Sequence, residues 1–317
     1  MVERGGDAEH TTSEGAFVGT TDSTVLDQWL REAGAEAGAE IFAHARDLRD
    51  GKEVGWRSDN PVVTASVFKV SVLLEYVRQV SSGELDPREQ LEITDADRVL
   101  GPSGLSVFTD DTRWSLRDLA TSMMTVSDNT ATDVLVDILG LDRINKTLAD
   151  LGLPGTVLVG ACQGIFDAAL VELGVSDFAQ LDAAMESLGS DVAGMAFCDP
   201  ARTNRSTPRE STELLARIWS DEAATPEACA EARRILGLQV WSHRLASGFP
   251  DDRIRVSGKT GTIGVARNEI GVVEYPDGSS YAIAVFLRTS RFAYRQPAAD
   301  ALIGRVARAL VDHLQHA

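Results

Sequence analysis

The sequence predicts a mixed α/β (α+β) protein of two lobes. An antiparallel sheet supplied by both chain ends carries flanking helices, and an all-helical lobe is inserted between. Three observations predict it. Strand-like segments lie near the two ends of the chain, at residues 40–46 and beyond residue 253. Between them runs a series of segments with apolar residues at helical spacing. The 317 residues, 44% of them hydrophobic, suffice for a sizeable core in one large domain or two lobes. We expect a tail over 1–24 and a single catalytic domain over 25–317. Within it, 25–61 and 245–317 form the α/β lobe and 62–244 the helical lobe, with a ligand site in the cleft between them.

Residues 1–24 are rich in Gly, Thr, Ser and Glu. Their longest apolar run, Ala16-Phe17-Val18, is too short for a signal-peptide core, and no positive region precedes it. They read as a disordered tail on a cytoplasmic protein; a leader already removed would make it a secreted one. No segment approaches the length of a membrane span. Residues 40–46 partly alternate, and an Asp50-Gly51 turn leads to a second strand around Val54 and Trp56. Residues 61–64 deliver the chain to a helix marked by Val70, Leu73, Leu74, Val77 and Val80 and ended by Gly83. Asp86-Pro87 begins another segment, and residues 101–105 form a tight loop.

Ser115-Leu116-Arg117-Asp118 reads as a capping box, opening a helix with Leu119, Met123 and Met124. That helix runs out at Ser127-Asp128-Asn129. Helical spacing resumes over 130–139 and over 142–151, closed by Gly140 and Gly152. Residues 154–204 are the least legible, with a helix over 176–188 amid long excursions. Thr207-Pro208-Arg209-Glu210 combines an N-cap, a first-turn proline and a third-position glutamate, and Thr225-Pro226 opens a helix in the same way. After Gly248, 253–257 and 268–274 are strand-like. The Pro276-Asp277-Gly278 turn joins the latter to an apolar strand over 281–287, making a hairpin. Residues 298–314 close the chain as a helix bearing Leu302, Val306, Leu310 and Leu314.

Thirty basic residues against 48 acidic ones leave a net charge of −18. A polyanion repels phosphate backbones and anionic lipid, so neither nucleic acid nor a membrane is an expected partner. Cys162, Cys198 and Cys229 show no paired spacing and read as buried, inert thiols. The five histidines form no H-x-x-x-H cluster, and no metal or organic cofactor is implied. Whether the protein is a monomer or a dimer stays open.

Ser66 and Lys69 stand three residues apart at a helix start, so they share a face and can touch. A serine hydroxyl is a poor nucleophile until a base takes its proton. A lysine whose pKa is lowered by burial or a second cation can be that base. The free N–H groups of a helix N-terminus favour negative charge beside Ser66. S-x-x-K alone arises by chance about once in a chain of this length. Two further tripeptides, Ser127-Asp128-Asn129 and Lys259-Thr260-Gly261, change the odds.

In this order the three motifs resemble those of class A serine β-lactamases and penicillin-binding proteins. The resemblance runs from about residue 38 to the C-terminus. Thr207-Pro208 matches the segment after the family's omega loop, and Arg267-Asn268-Glu269 matches the strand after the K-T-G strand. It implies a β-lactamase-like fold and a serine hydrolase. Ser66 would form an acyl-enzyme, Lys69 would activate it, and Ser127 would relay a proton to the leaving group. Lys259 would orient Ser127 and attract a substrate carboxylate. Asn129 would hold the substrate's amide side chain, with Thr260 and Gly261 also lining the substrate site. The N–H groups of Ser66 and Thr262 would form the oxyanion hole. Arg267 would clamp a carboxylate, or else make an ordinary surface salt bridge. Asp128 reads as a loop-fixing hydrogen bonder.

One family element is missing. No Glu-x-x-Leu-Asn segment, whose glutamate activates the deacylating water, occurs between Asn129 and Thr207. That interval is also longer than in compact members, and nothing in the spacing of Glu172 or Glu186 selects either as a substitute. Acylation could then proceed while hydrolysis lacks its usual base, or the enzyme could act as an acyltransferase that passes its acyl group to an amine. The expected substrate is a small molecule bearing a carboxylate, with an ester, amide or β-lactam-like carbonyl, and penicillinase activity is expected to be weak. The alternatives are a true β-lactamase with a replacement base, and a penicillin-binding sensor that acylates without turnover.

Overall fold

A computed structural model describes residues 22–317. The expected tail, over 1–24, lies outside the described residues as far as position 21. Its last two positions belong instead to helix α1 (Ser23–Glu36), capped by Asp22, whose carboxylate accepts from Thr24 N at 2.8 Å. Strands β1 (Ala39–Asp47) and β2 (Glu53–Trp56) follow, then the short β3 (Val62–Val63).

The serine motif does not open an α-helix directly. Ala65–Phe68 form a 3₁₀ turn, and only from Lys69 does α2 (Lys69–Ser81) begin. A ribbon of β4 (Gln90–Ile93) and β5 (Thr112–Ser115), which no sequence signal announced, leads to α3 (Leu116–Thr125). Ser115 caps α3 as expected, with its Oγ accepting from Asp118 N at 3.3 Å. Next come α4 (Asn129–Leu139), α5 (Leu141–Asp150), α6 (Cys162–Leu173), α7 (Phe178–Leu188) and β6 (Arg205–Ser206). Helices α8 (Pro208–Trp219) and α9 (Pro226–Leu236) start at the two expected Thr-Pro caps. Strands β7 (Arg255–Ile263), β8 (Ala266–Glu274) and β9 (Ser280–Thr289) lead to α10 (Pro297–His316).

The main sheet has the order β2-β1-β9-β8-β7 and every pairing is antiparallel. The N-terminal strands therefore close against the C-terminal hairpin, with Ala39 opposite Thr289 and Asp47 opposite Tyr281. Both faces are covered. Tyr281, Ile283, Val285 and Leu287 of β9 pack with α1 and α10 residues such as Leu26, Leu30, Leu302, Val306 and Leu310. The alternating Ala282, Ala284 and Phe286 pack into the larger helical core with Leu73, Leu119, Leu135 and Leu215. Burial on both faces explains why β9 reads as an unbroken apolar run. Each fully buried leucine or valine side chain here contributes about 1.5–3 kcal/mol.

A smaller cluster gathers Ala169, Leu181, Met185, Val192, Phe197 and Cys198 against Val265. It seats the 162–198 segment on the β7–β8 turn, beside the K-T-G strand. Among the described residues no helix is long and apolar enough to cross a membrane.

Candidate active site

Three separate pieces of chain converge on the turn between α3 and α4. Two of its surroundings carry unusual backbone: Ala65, just before Ser66, has φ +45°, and Ser127 has φ +64°. Left-handed conformations cost a non-glycine residue on the order of 1–3 kcal/mol and persist only where neighbours over-determine them. Asp128 is one such neighbour. Fully buried, it accepts from Leu105 N at 2.8 Å and Ser122 Oγ at 2.7 Å through Oδ2, and from Ala131 N at 3.1 Å through Oδ1. It ties the loop at 104–107, α3 and α4 together and holds Ser127 at their junction.

Two buried amines meet at Ser127. Lys69 Nζ donates to Ser127 O at 2.7 Å, Ser127 Oγ at 3.2 Å and Asn129 Oδ1 at 2.7 Å. Lys259 Nζ donates to Ser127 Oγ at 3.0 Å and Thr260 O at 2.9 Å. Both side chains are 0% exposed. Burial lowers both pKa values, and the Lys69 charge pushes Lys259 down further, well below the ordinary lysine value. Lys69 is therefore placed to exchange a proton with Ser127. Ser66 Oγ is not among the three partners of its amine, although the spacing alone allowed that contact.

Ser66 is brought to the K-T-G strand by a glycine. A Cβ on Gly261 would stand 2.6 Å from Thr64 O, 3.1 Å from Val67 N and 3.2 Å from Ser66 N. Only a residue without one lets β7 lie this close to the nucleophile's backbone. Ser66 N, in the first turn of the 3₁₀ segment, has no intrahelical acceptor. It lies against the strand at Gly261, one residue before Thr262. Asn268 clamps the same turn from β8, donating to Val63 O at 2.8 Å and Thr64 O at 3.1 Å.

Two expected substrate contacts take other roles. Asn129 is engaged internally through its Oδ1 on Lys69 and one Nδ2 hydrogen on Leu100 O at 2.7 Å. It braces Lys69, with its second N–H outside both bonds. Arg267, 4% exposed, is held by Asp300 at 3.1 Å and by Ala293 O and Tyr294 O, each at 2.7 Å. Of the two outcomes expected for it, the structure gives the ion pair, buried rather than at the surface. The guanidinium that reaches the site is Arg244, absent from the sequence motifs. It donates to Thr262 Oγ1 at 2.7 Å and to Gly261 O and Asn268 O at 3.0 Å, and it shares Asp300 at 2.8 Å. No local pattern distinguishes Arg244 from Arg267, because the difference is tertiary: Arg244, on the loop before β7, reaches Gly261 O and Thr262 Oγ1, whereas Arg267, on β8, meets Ala293 O and Tyr294 O.

The position nearest Lys69 from the illegible segment belongs to Cys162, the first residue of α6. Its thiol donates to Asn129 Oδ1 at 3.4 Å, and burial pushes its pKa up to about 12. Asp133 caps α6 here, accepting from Cys162 N and Gln163 N at 2.7 Å each. Glu172 is occupied elsewhere, by Ala196 N at 2.8 Å and Arg202, and Glu186 is exposed. The groups beside Lys69 where the 154–204 segment approaches it are thus a neutral thiol, Cys162, and the Asp133 carboxylate that caps α6, which is committed to two backbone donors. Among the described residues no cluster of His, Cys, Asp and Glu is arranged to hold a metal.

Fold, motif order and convergent amines define the serine β-lactamase and penicillin-binding-protein class. The model of the Beta-lactamase enzyme family matches residues 25–314, and the chain belongs to that family. It is 31% identical to the "Beta-lactamase regulatory protein BlaB" of Streptomyces cacaoi, over 90% of this chain and 96% of that protein. It is 28% identical to a β-lactamase of Amycolatopsis lactamdurans, over 93% and 87% of the two chains. Among solved structures, a β-lactamase from Sphaerobacter thermophilus DSM 20745 superposes with a TM-score of 0.75. The match covers 93% of this chain and 98% of that one at 23% identity. PBP-A superposes at 0.73 and 20% identity, over 92% and 96%.

Proposed function

We propose that the protein is a serine acyl-enzyme former whose acyl-enzyme is long-lived. Ser66 Oγ attacks the carbonyl carbon of an ester, amide or β-lactam-like substrate. Its proton passes to the Lys69–Ser127 pair as the new C–O bond forms. Ser127 then returns a proton to the leaving nitrogen or oxygen as the carbonyl bond to it breaks. The observation that carries this reading is the meeting of both amines at Ser127 Oγ, beside the Ser66 turn. A cluster of Lys69, Lys259 and Arg244 in a strongly acidic chain favours substrates with a carboxylate.

The second half of the cycle is where the chain departs from a hydrolase. A buried thiol raised to about 12 neither accepts a proton from water near neutral pH nor supplies one readily. Slow release also fits the relative named as a regulatory protein, and a sensor that acylates and stays acylated is the second reading.

Intact-mass spectrometry after incubation with penicillin G, a cephalosporin and a fluorophosphonate tests both. Addition to wild type and none to Ser66→Ala supports the nucleophile; equal addition to both refutes it. Sustained nitrocefin turnover would refute the long-lived intermediate, whereas a single burst supports it.

A further inference from the structure

One carboxylate next to the site has no part in that chemistry and is nonetheless built in with care. Glu269 of β8 is 1% exposed and stands opposite Thr260 in the β7–β8 register. Its Oε1 accepts from Gln239 Nε2 at 2.7 Å and its Oε2 from Leu245 N at 2.6 Å. Gln239 Oε1 in turn accepts from Thr260 N at 2.7 Å. β7 is the outermost strand, so an outward amide such as this has no neighbouring strand to satisfy it. Gln239 fills that place.

The segment this carboxylate holds, from Gln239 to Leu245, carries Arg244 to Gly261 O and Thr262 Oγ1. Its middle is apolar and outward, with Val240 56% and Trp241 39% exposed. Its middle is tied by backbone to α3, Val240 N donating to Thr125 O at 3.2 Å, and not to the sheet. Glu269 therefore grips both ends of the one loop that runs along the K-T-G strand.

We propose, on the reading that Ser66 is acylated, that Glu269 is a positioning residue: it clamps residues 239–245 to β7 and so fixes the Thr260 peptide and the Arg244 guanidinium. The chain of bonds runs one way, from Thr260 N–H to Gln239, and from Gln239 and Leu245 N–H to the carboxylate. Both carboxylate oxygens accept, which favours the ionised form; a proton on either oxygen weakens that oxygen as an acceptor and brings a second donor into the clamp. The charged groups around it are Lys259 on β7, with Lys69 behind it, Arg244 and His243 on the loop, and Arg267 with Asp300 beyond Arg244. Against these cations burial still dominates and raises the Glu269 pKa to about 7. The clamp is complete above that pH and loosens below it. Because the native carboxyl holds its proton more tightly than the unfolded one, ionising it lowers stability as pH rises from its unfolded value toward 7. The clamp thus stabilises the site at the expense of the fold.

The test uses the full chain as wild type, Glu269→Gln and Gln239→Leu. Hydrogen exchange of residues 239–245 and of the Thr260 amide is read by mass spectrometry, with the rate of fluorophosphonate labelling of Ser66 followed across the pH range around 7. Expected are roughly tenfold faster exchange in both variants and labelling slower by about the same factor. The wild type should lose labelling rate below pH 7, Glu269→Gln should lack that limb, and its Tm above pH 7 should equal or exceed wild type. Unchanged exchange overturns the proposal, as does faster exchange with unchanged labelling, or a limb that persists in Glu269→Gln. If exchange responds as expected but no protein labels at any pH, the clamp stands and acylation at Ser66 is what fails.

Discussion

Lys69 and Lys259 reach the same oxygen, Ser127 Oγ, at 3.2 and 3.0 Å. Two ammonium groups sharing one hydroxyl in a buried site repel, so the pair releases a proton more easily than either lysine alone, and its titration belongs to both. One neutral amine beside one charged amine is the state acyl transfer needs: a base and a cation at the same hydroxyl.

The stability consequence has a definite sign. Both native pKa values are lowered, so between them and the unfolded lysine value the unfolded chain binds more protons. Stability therefore rises with pH through that window. Lys259→Met should show a shallower rise of Tm on the alkaline side than wild type, measured by calorimetry, and its acylation rate should fall by at least about 10²-fold. A slope identical to wild type would mean that Lys259 is charged throughout.

Gly261→Ala introduces a methyl 2.6 Å from Thr64 O and 3.2 Å from Ser66 N. The Ser66 turn must retreat from β7. A loss of about 1–3 kcal/mol in urea unfolding is expected, with a drop of roughly 10²-fold or more in labelling of Ser66. Labelling at the wild-type rate would show that the turn and the strand need no such closeness.

Asp128→Ala leaves Leu105 N, Ser122 Oγ and Ala131 N without their acceptor. Each orphaned buried donor costs about 1–3 kcal/mol, and Ser127 loses the support for its left-handed backbone. Denaturant unfolding should register a loss of at least about 2 kcal/mol, with acylation impaired in the fraction that stays folded. Asp128→Asn, which keeps one acceptor, should lie between.

Cys162 provides a chemical check on the fate of the ester. In the native protein it should resist a disulfide-exchange reagent at mildly alkaline pH, being buried and protonated there, and should react once denatured. Cys162→Ala should leave the lifetime of the penicilloyl-enzyme unchanged within about twofold, followed by mass spectrometry. A marked lengthening would show that the thiol assists hydrolysis.

The elements that were legible are those fixed by neighbours in sequence. Ser115, Thr207 and Thr225 cap helices through bonds three residues away, and the apolar spacing of α2, α4 and α10 marks them as helices, although α2 turns out to be buried on nearly every side. Helix α6 was missed because its cap is remote: Asp133, on α4, supplies the acceptor that its own N-terminal residues lack. Its face is also poorly marked, with Val171 83% exposed. Helix α1 was masked by the polar stretch before it, although Leu26 and Leu30 are buried at its core side. At the site, the motifs named the residues that meet at Ser127. They named Glu269 only as part of a matching strand and were silent on Arg244 and Gln239; the roles of all three depend on how a loop crosses an edge strand. The same limit applies to Asn129, whose neighbours Leu100 and Lys69 arrive from elsewhere in the chain.

The sheet that closes β1 against β9 also sets an order of events during synthesis. A ribosome will have released the Ser66 turn and every helix up to α9 before the strand carrying Lys259 exists. The half-made chain has an unpaired β1 edge and lacks Lys259 and Gly261 beside the Ser66 turn. On the proposed chemistry Ser66 is armed only when the C-terminal hairpin docks, which would make the last part of the polypeptide the fold's own arming step.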